Sequence, residues 1–309
     1  MRALVFPGQG AQAIGMGKAL AEAYPDAKAV FDEVDDALGE ALSQMIWDGD
    51  AQTLTLTQNA QPALMATSMA AMRALEAEGL GLEHAAFVAG HSLGEYSALA
   101  AAGSLSVADT ARLLRTRGLA MQQAVPVGVG AMAALLGLDF DTVKAVAQEA
   151  AQDGEVVQAA NDNDPGQVVV SGHKAAVERA CEIAKEKGAK RAVILPVSAP
   201  FHCALMEPAA VVMADALEGV DIIAPSVPLI ANVLAGPVSD PATIRSLLVQ
   251  QVTGSVRWRE SVGFMAQNGV TEIFEVGAGK ALSGMIRRIE KSIACSAVGT
   301  PDDIAKLKS

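Results

Sequence analysis

Aromatic side chains are scarce in this chain: they make up 4% of its 309 residues, against 51% hydrophobic residues overall. A core with so few rings must be built from Ala, Val, Leu, Ile and Met, which suits helices packed on a parallel sheet and points to the α/β class. Cysteine is also scarce. Cys181, Cys203 and Cys295 are odd in number, far apart and in no CxxC arrangement, which suits a reducing compartment and supplies no metal site. Net positive charge is lacking as well; a formal charge of −12 excludes non-specific nucleic-acid binding and attraction to an anionic membrane surface. Any acidic ligand therefore has to meet a local basic patch. No apolar run reaches transmembrane length without charge or glycine, and residues 1–6, with a single Arg before Pro7, are too short for a signal peptide. These absences lead us to expect a soluble, cytoplasmic protein. No repeat or low-complexity stretch stands out, and the length calls for two domains or one large domain carrying an inserted smaller one.

What is present is the stretch Gly90-His91-Ser92-Leu93-Gly94-Glu95, where an apolar run over residues 85–89 stops and helix-forming sequence begins. The pattern G-x-S-x-G puts a serine on a tight strand-to-helix turn, with glycines that let the backbone bend. Ser92 is the candidate nucleophile. The residue after it lies in the first helical turn, so the Leu93 N–H is free to face a developing oxyanion.

Around this turn the chain reads as alternating strands and helices. Residues 3–6 form a buried strand that runs into the loop Pro7-Gly8-Gln9-Gly10-Ala11-Gln12, the kind of strand end where α/β proteins place sites. Gly8-Gln9-Gly10 lacks the third glycine of a dinucleotide fingerprint, and Gly277-Ala278-Gly279-Lys280 lacks the full phosphate-loop pattern, so neither predicts nucleotide binding. Residues 16–46 are helical with breaks at Pro25 and Gly39, residues 62–78 form a long helix started by Gln61-Pro62, and Met65, Met69 and Met72 on it read as core. Helices follow at 95–102 and 107–123, and the arginines of the latter, Arg112, Arg115 and Arg117, read from pattern alone as a solvated face.

At Pro126 and Gly128-Val129-Gly130 the composition shifts. Strand 131–138, helix 141–151, strands 156–160 and 167–171 split by a turn over 161–166, helix 174–187 and strand 191–195 give the order βαββαβ of a ferredoxin-like unit. We therefore expect a large α/β-hydrolase-like domain with a parallel sheet core, residues 1–126 and 197–309, and an inserted ferredoxin-like small domain, residues 127–196. The large domain resumes with helices at 208–217, 241–252 and 258–268, strands at 227–231 and 272–276, and a last helix after residue 280; residues 301–309 read as a loose tail.

A serine nucleophile needs a base, and there are four histidines. His91 adjoins Ser92, where neighbouring side chains diverge. His84 precedes the elbow strand and so sits at its far end. His173 lies at a helix start in the small domain. His202 remains, in a Pro-flanked loop where the chain rejoins the large domain. An α/β-hydrolase would place an acid and then its histidine late in the chain. No histidine follows 202, which weakens an esterase reading, and no acid is evident to orient His202, so that task falls to an unidentified Asp or to a backbone carbonyl.

Several stretches now coincide with one family: FPGQGAQ at 6–12, QPA at 61–63, GHSLGEYSAL at 90–99, RG at 117–118, SAPFHCALM at 198–206 and EVGAGKALSGM at 275–285. The chain resembles malonyl-CoA:acyl carrier protein transacylases of bacterial type II fatty acid synthesis, over residues 3–300 in the family's order. The resemblance implies Ser92 as nucleophile, His202 as base, the Gln9 and Leu93 N–H groups as oxyanion hole, and Arg117 as partner of the malonyl carboxylate. It further implies that a main-chain carbonyl at Gln251 orients His202 and that Asn161 lines the cleft. Phe201 stands where some relatives have Ser and resembles modular acyltransferases that choose malonyl over branched groups; Ala11 replaces a frequent Ser. No metal or cofactor is implied, malonyl-CoA being a substrate. The implied partners are malonyl-CoA and acyl carrier protein, with no nucleic acid, no membrane and a monomeric state. Acyl carrier protein is acidic, so docking needs a basic patch, for which Lys187, Lys190, Arg191, Lys280, Arg287 and Arg288 are candidates. An esterase or thioesterase and a non-catalytic carrier-binding module are the rival readings.

Overall fold

A computed structural model of the chain describes residues 1–308. The first stretch runs β1 (Arg2–Phe6), α1 (Lys18–Ala23), α2 (Pro25–Leu38), α3 (Leu42–Asp48), α4 (Ala51–Thr55), α5 (Thr57–Ala77), β2 (Ala85–Gly90), α6 (Gly94–Ala101) and α7 (Val107–Gln123). The second runs β3 (Gly130–Leu136), α8 (Phe140–Ala150), β4 (Val157–Asp164), β5 (Gln167–His173), α9 (Lys174–Glu186) and β6 (Arg191–Ile194). The third runs α10 (Glu207–Glu218), β7 (Leu229–Ala231), β8 (Gly236–Val238), α11 (Pro241–Thr253), α12 (Trp258–Gln267), β9 (Glu272–Val276), α13 (Ala281–Ile289), β10 (Ala294–Val298) and α14 (Pro301–Leu307).

The first and third stretches share a six-stranded sheet in the order β10-β9-β1-β2-β7-β8. Its first five strands are parallel, and β8 folds back antiparallel on β7. Ala3, Leu4, Val5 and Phe6 are wholly buried, because β1 lies mid-sheet with both faces covered, which is why it reads as an unbroken apolar run. Helix α5 lies against the sheet with Met65, Met69 and Met72 sealed in the main apolar cluster. Each such side chain stabilises the fold by about 1.5–3 kcal/mol. The middle stretch forms a separate antiparallel sheet, β4-β5-β3-β6, whose apolar face and helices α8 and α9 close a cluster around Leu135, Val143, Val168 and Val177.

The structure departs from the sequence reading at several places, the short helix α4, where no element is expected, among them. Helix α5 starts at Thr57, five residues ahead of Pro62, which lies within it. Proline forfeits one bond to the Gln58 carbonyl, and burial of Asn59, Ala60 and Gln61 outweighs that loss. Strand β4 continues through Asn161-Asp162-Asn163-Asp164, leaving only Pro165-Gly166 as the turn. Asn and Asp are poor strand formers, but here two bulges and contacts to the large sheet's side of the molecule hold them. Asp162 pairs with Arg259 at 2.8 Å and Asp164 with Arg288 at 2.7 Å, while Val256 bonds the backbone of Ala160 and Asp162. The edge strands β8, of three residues, and β10, of five, are too short to predict from pattern. Finally, the expected loose tail contains α14, capped by Thr300 accepting from Asp303 N and anchored by Ile304, which is 1% exposed. Among the described residues no helix is long and apolar enough to cross a membrane.

Candidate active site

The elbow is built by close packing. A Cβ on Gly90 would come within 2.0 Å of the Gly94 carbonyl, and one on Gly94 within 2.2 Å of the Phe6 oxygen. Only glycine lets β2, β1 and α6 meet this tightly. Ser92 between them has φ of 53°, a left-handed conformation that costs a non-glycine residue about 1–3 kcal/mol. Asn232, just after β7, clamps the strained turn: its Nδ2 donates to Gly90 O at 2.6 Å and its Oδ1 accepts from Ser92 N at 2.8 Å.

His202, itself at φ 60°, brings Nε2 to 2.8 Å from Ser92 Oγ. Its Nδ1 is 2.9 Å from the Gln251 carbonyl oxygen. A carbonyl can only accept, so Nδ1 carries the hydrogen and Nε2 is left with its lone pair toward the serine. Gln251 lies in the last turn of α11, where carbonyls have no helical partner. Burial, helped by the Arg117 charge, drives the His202 pKa down from 6.5 to about 3, so the imidazole is neutral at physiological pH.

Arg117 is the surprise of α7. Arg112 on the same helix is exposed, but Arg117 is 1% exposed and faces the serine. Nη1 donates to Gln61 Oε1 at 2.8 Å, and Nη2 donates to Gln251 Oε1 at 2.8 Å and to Ser92 Oγ at 3.1 Å. Among the described residues its Nε has no hydrogen-bond partner. Burial lowers its pKa from 12.5, and the arginine remains a cation beside the Ser92 hydroxyl.

A cleft of about 530 Å³ opens over these groups. Ser92, His202, Gln9, Leu93, Arg117, Asn161 and Phe201 all line it; Gln251 stands behind it, in contact with both His202 and Arg117. Leu93 caps the N-terminus of α6, ahead of the helix's first bonded turn. His91 also borders the cleft, its Nε2 at 2.9 Å from Asn163 Oδ1 and its ring 6.0 Å from that of Trp258. His84 is exposed in a short turn of 3-10 helix before β2, and His173 starts α9, accepting from Val156 N at Nδ1. At the Gly-Ala-Gly-Lys turn the first free N–H groups of α13, on Leu282 and Ser283, are bonded by the buried Glu275 carboxylate at 3.0 and 2.7 Å. The chain's own carboxylate holds the place a phosphate would take. Among the described residues no cluster of three or more His, Cys, Asp or Glu is arranged to hold a metal.

Three residues of this network were not singled out from the sequence. Gln61 and Glu95 lie inside the motifs quoted above, and helical spacing puts Glu95 on the first turn after Ser92. Asn232 carries no local signal, since its partner Ser92 is 140 residues away. Of the docking candidates, Lys187 is paired with Glu149 and Arg288 with Asp164. Lys190, Arg191, Lys280 and Arg287 are exposed. Lys280 adjoins Ala281 of the cleft wall, and Arg191 opens the strand that leads to Leu195, which also lines the cleft.

The profile of the acyl transferase domain family matches residues 3–293. The malonyl CoA-acyl carrier protein transacylase of Bacillus subtilis is 48% identical over 302 residues, covering 98% of this chain and 94% of the relative. The crystal structure of acyl-carrier-protein S-malonyltransferase from Bartonella henselae superposes with a TM-score of 0.96 at 59% identity, covering 99% and 98% of the two chains. A malonyl-transacylase solved in complex with a type II polyketide acyl-carrier protein gives a TM-score of 0.95 at 42% identity, with 99% and 98% coverage.

Proposed function

The chain belongs to the acyl transferase domain family, and from that premise we propose that it moves a malonyl group from malonyl-CoA to the phosphopantetheine thiol of acyl carrier protein. The observation that carries the choice of acyl group is the buried Arg117 guanidinium, 3.1 Å from Ser92 Oγ. A cation sealed beside a nucleophile is best satisfied by an acyl group that brings its own carboxylate, through two parallel charge-assisted bonds that acetyl cannot make.

In the first half-reaction His202 Nε2 takes the proton of Ser92 Oγ as the oxygen attacks the thioester carbonyl. The N–H groups of Gln9 and Leu93 hold the oxyanion. When the tetrahedral centre collapses, the C–S bond breaks and the coenzyme A thiolate leaves with the proton from His202. Malonyl-serine remains. In the second half the carrier thiol gives its proton to His202, its sulfur attacks the ester, and the proton returns to Ser92 Oγ as the C–O bond breaks. The neutral His202 is ready for both halves without first losing a proton. Asn161 and Phe201 shape the cleft around the acyl group, Phe201 leaving little room for a branched one.

The parallel sheet with its elbow supports an α/β-hydrolase-like description of residues 1–126 and 197–309, and the order of the second sheet supports a ferredoxin-like one for residues 127–196. Purified protein given malonyl-, methylmalonyl- or acetyl-CoA together with carrier protein tests the function. Loading of malonyl onto the carrier in preference to the other two is the expected result, and Ser92→Ala should remove it along with the labelled acyl-enzyme. Release of free malonate with an unloaded carrier would instead mark a thioesterase.

A further inference from the structure

Glu95 takes part in no step above, yet its side chain is sealed at 1% exposure one turn after the nucleophile. Its Oε2 accepts from Gln251 Nε2 at 2.8 Å and from Asn232 N at 3.0 Å; its Oε1 has no hydrogen-bond partner among the described residues. Both donors belong to residues that hold reacting groups. Asn232 clamps the Ser92 turn, and Gln251 meets His202 with its backbone carbonyl and Arg117 with its side-chain Oε1.

A carboxamide is nearly symmetric in shape but not in hydrogen bonding. Turned over, the Gln251 side chain would set its NH2 against the Arg117 guanidinium, donor against donor. What holds it the right way round is acceptors on its far side, and these are Glu95 Oε2 and, at 3.0 Å, the Ser92 carbonyl. Glu95 is the stronger of the two because it can carry charge. We propose that Glu95 is a positioning residue for acyl-group selection: by fixing the orientation of the Gln251 carboxamide it sets the Arg117 guanidinium for an acyl group that bears a carboxylate. The inference rests on the malonyl reading above.

The same geometry says where the damage falls when Glu95 is lost. His202 is held by the backbone of Gln251, which α11 fixes whatever its side chain does. Arg117 is held by the side chain. Loss of Glu95 therefore strikes the choice between malonyl and acetyl harder than it strikes transfer itself, a split that general loosening of the fold would not produce.

The experiment measures rates of acyl-enzyme formation on Ser92 from malonyl-CoA and from acetyl-CoA. Glu95→Ala should lower the malonyl-to-acetyl ratio about 10-fold, the loss expected for a hydrogen bond to a charged group. Gln251→Ala should lower it similarly, and the double variant should go little further. Glu95→Gln keeps an acceptor oxygen without the charge and should recover part of the ratio; Glu95→Asp, its oxygen withdrawn by one methylene, should recover less and serves if the alanine variant does not fold. Equal slowing of both acyl groups in Glu95→Ala, losses that multiply in the double variant, or Glu95→Gln as unselective as Glu95→Asp would each overturn the inference while leaving the malonyl reading intact. A parent enzyme with a ratio near one would overturn both.

Discussion

At the scale of single residues, the site is governed by groups whose charge is set by burial. Arg117 is the plainest case: Arg117→Ala should lower the malonyl-to-acetyl transfer ratio by about 10–100-fold, the worth of a charge-assisted pair, with acetyl transfer changed much less. Competition between the two thioesters for one carrier protein measures it directly. His202 and Glu95 make opposite predictions about pH. The unfolded histidine takes a proton near 6.5 while the folded one waits until about 3, so its contribution to stability is full above 6.5 and is lost as pH falls toward 3. Burial pushes the Glu95 carboxyl up from 4.5 to about 7, so its contribution is full below 4.5 and is lost as pH rises through 7. Glu95→Gln, which cannot ionise, should therefore gain in melting temperature relative to the parent as pH is raised from about 5 to about 8. Thermal melts at the two pH values read the difference, and a difference independent of pH would show that Glu95 bears no such cost.

At the scale of elements, strand β2, the elbow and helix α6 form a unit whose glycines admit no Cβ. Gly94→Ala would drive a methyl group into the Phe6 carbonyl at 2.2 Å, so β1 or α6 must shift; loss of acyl-enzyme together with a lowered melting temperature is the expected outcome. This unit was legible in advance because its requirements are local: apolar strand, glycine, serine, glycine, helix. Strand β4 was not legible past Ala160. Asn161 to Asp164 carry turn chemistry in their own sequence, and what makes them a strand are Arg259, Arg288 and Val256, about a hundred residues downstream. The same holds for Arg117. The ends of helix α7 are legible in the sequence, but its pattern places the arginine in solvent, and only resemblance to a family gives it a task; the acceptors that make its burial tolerable lie on α5 and α11. Helix α14 was missed for a different reason, since seven residues held by one cap and one buried isoleucine give too short a pattern to recognise.

At the scale of the whole molecule, the two sheets meet over the cleft, and β4 is the seam. Asp162 is wholly buried and depends on Arg259 for its charge partner. Arg259→Ala should cost about 3 kcal/mol by leaving that carboxylate unpaired, and should raise hydrogen exchange in β4 before it does so in β1. Neither partner touches Ser92 or His202, so any change in transfer reports the setting of the cleft. Docking of an acidic carrier protein to a chain of charge −12 also belongs to this scale. Neutralising Lys280 and Arg191 together should raise KM for the carrier protein and flatten its dependence on salt, with KM for malonyl-CoA less affected.

The carbonyl behind His202 has a consequence for which acceptor can finish the reaction. A carboxylate in that place would strengthen the imidazole as a base; the neutral carbonyl strengthens it less, and burial beside a guanidinium leaves it weak. The Ser92 hydroxyl is as weak an acid as water and gives up its proton because its Oγ is held 2.8 Å from His202 Nε2 and 3.1 Å from the Arg117 cation; an unheld water, with a pKa near 15.7, lacks that help, whereas a thiol near 8.5 gives up its proton far more readily. Acceptors that reach the cleft are therefore sorted by acidity, the carrier thiol ahead of water. Malonyl-enzyme left without thiol should accordingly persist long enough to isolate, and a pantetheine thiol should discharge it at once.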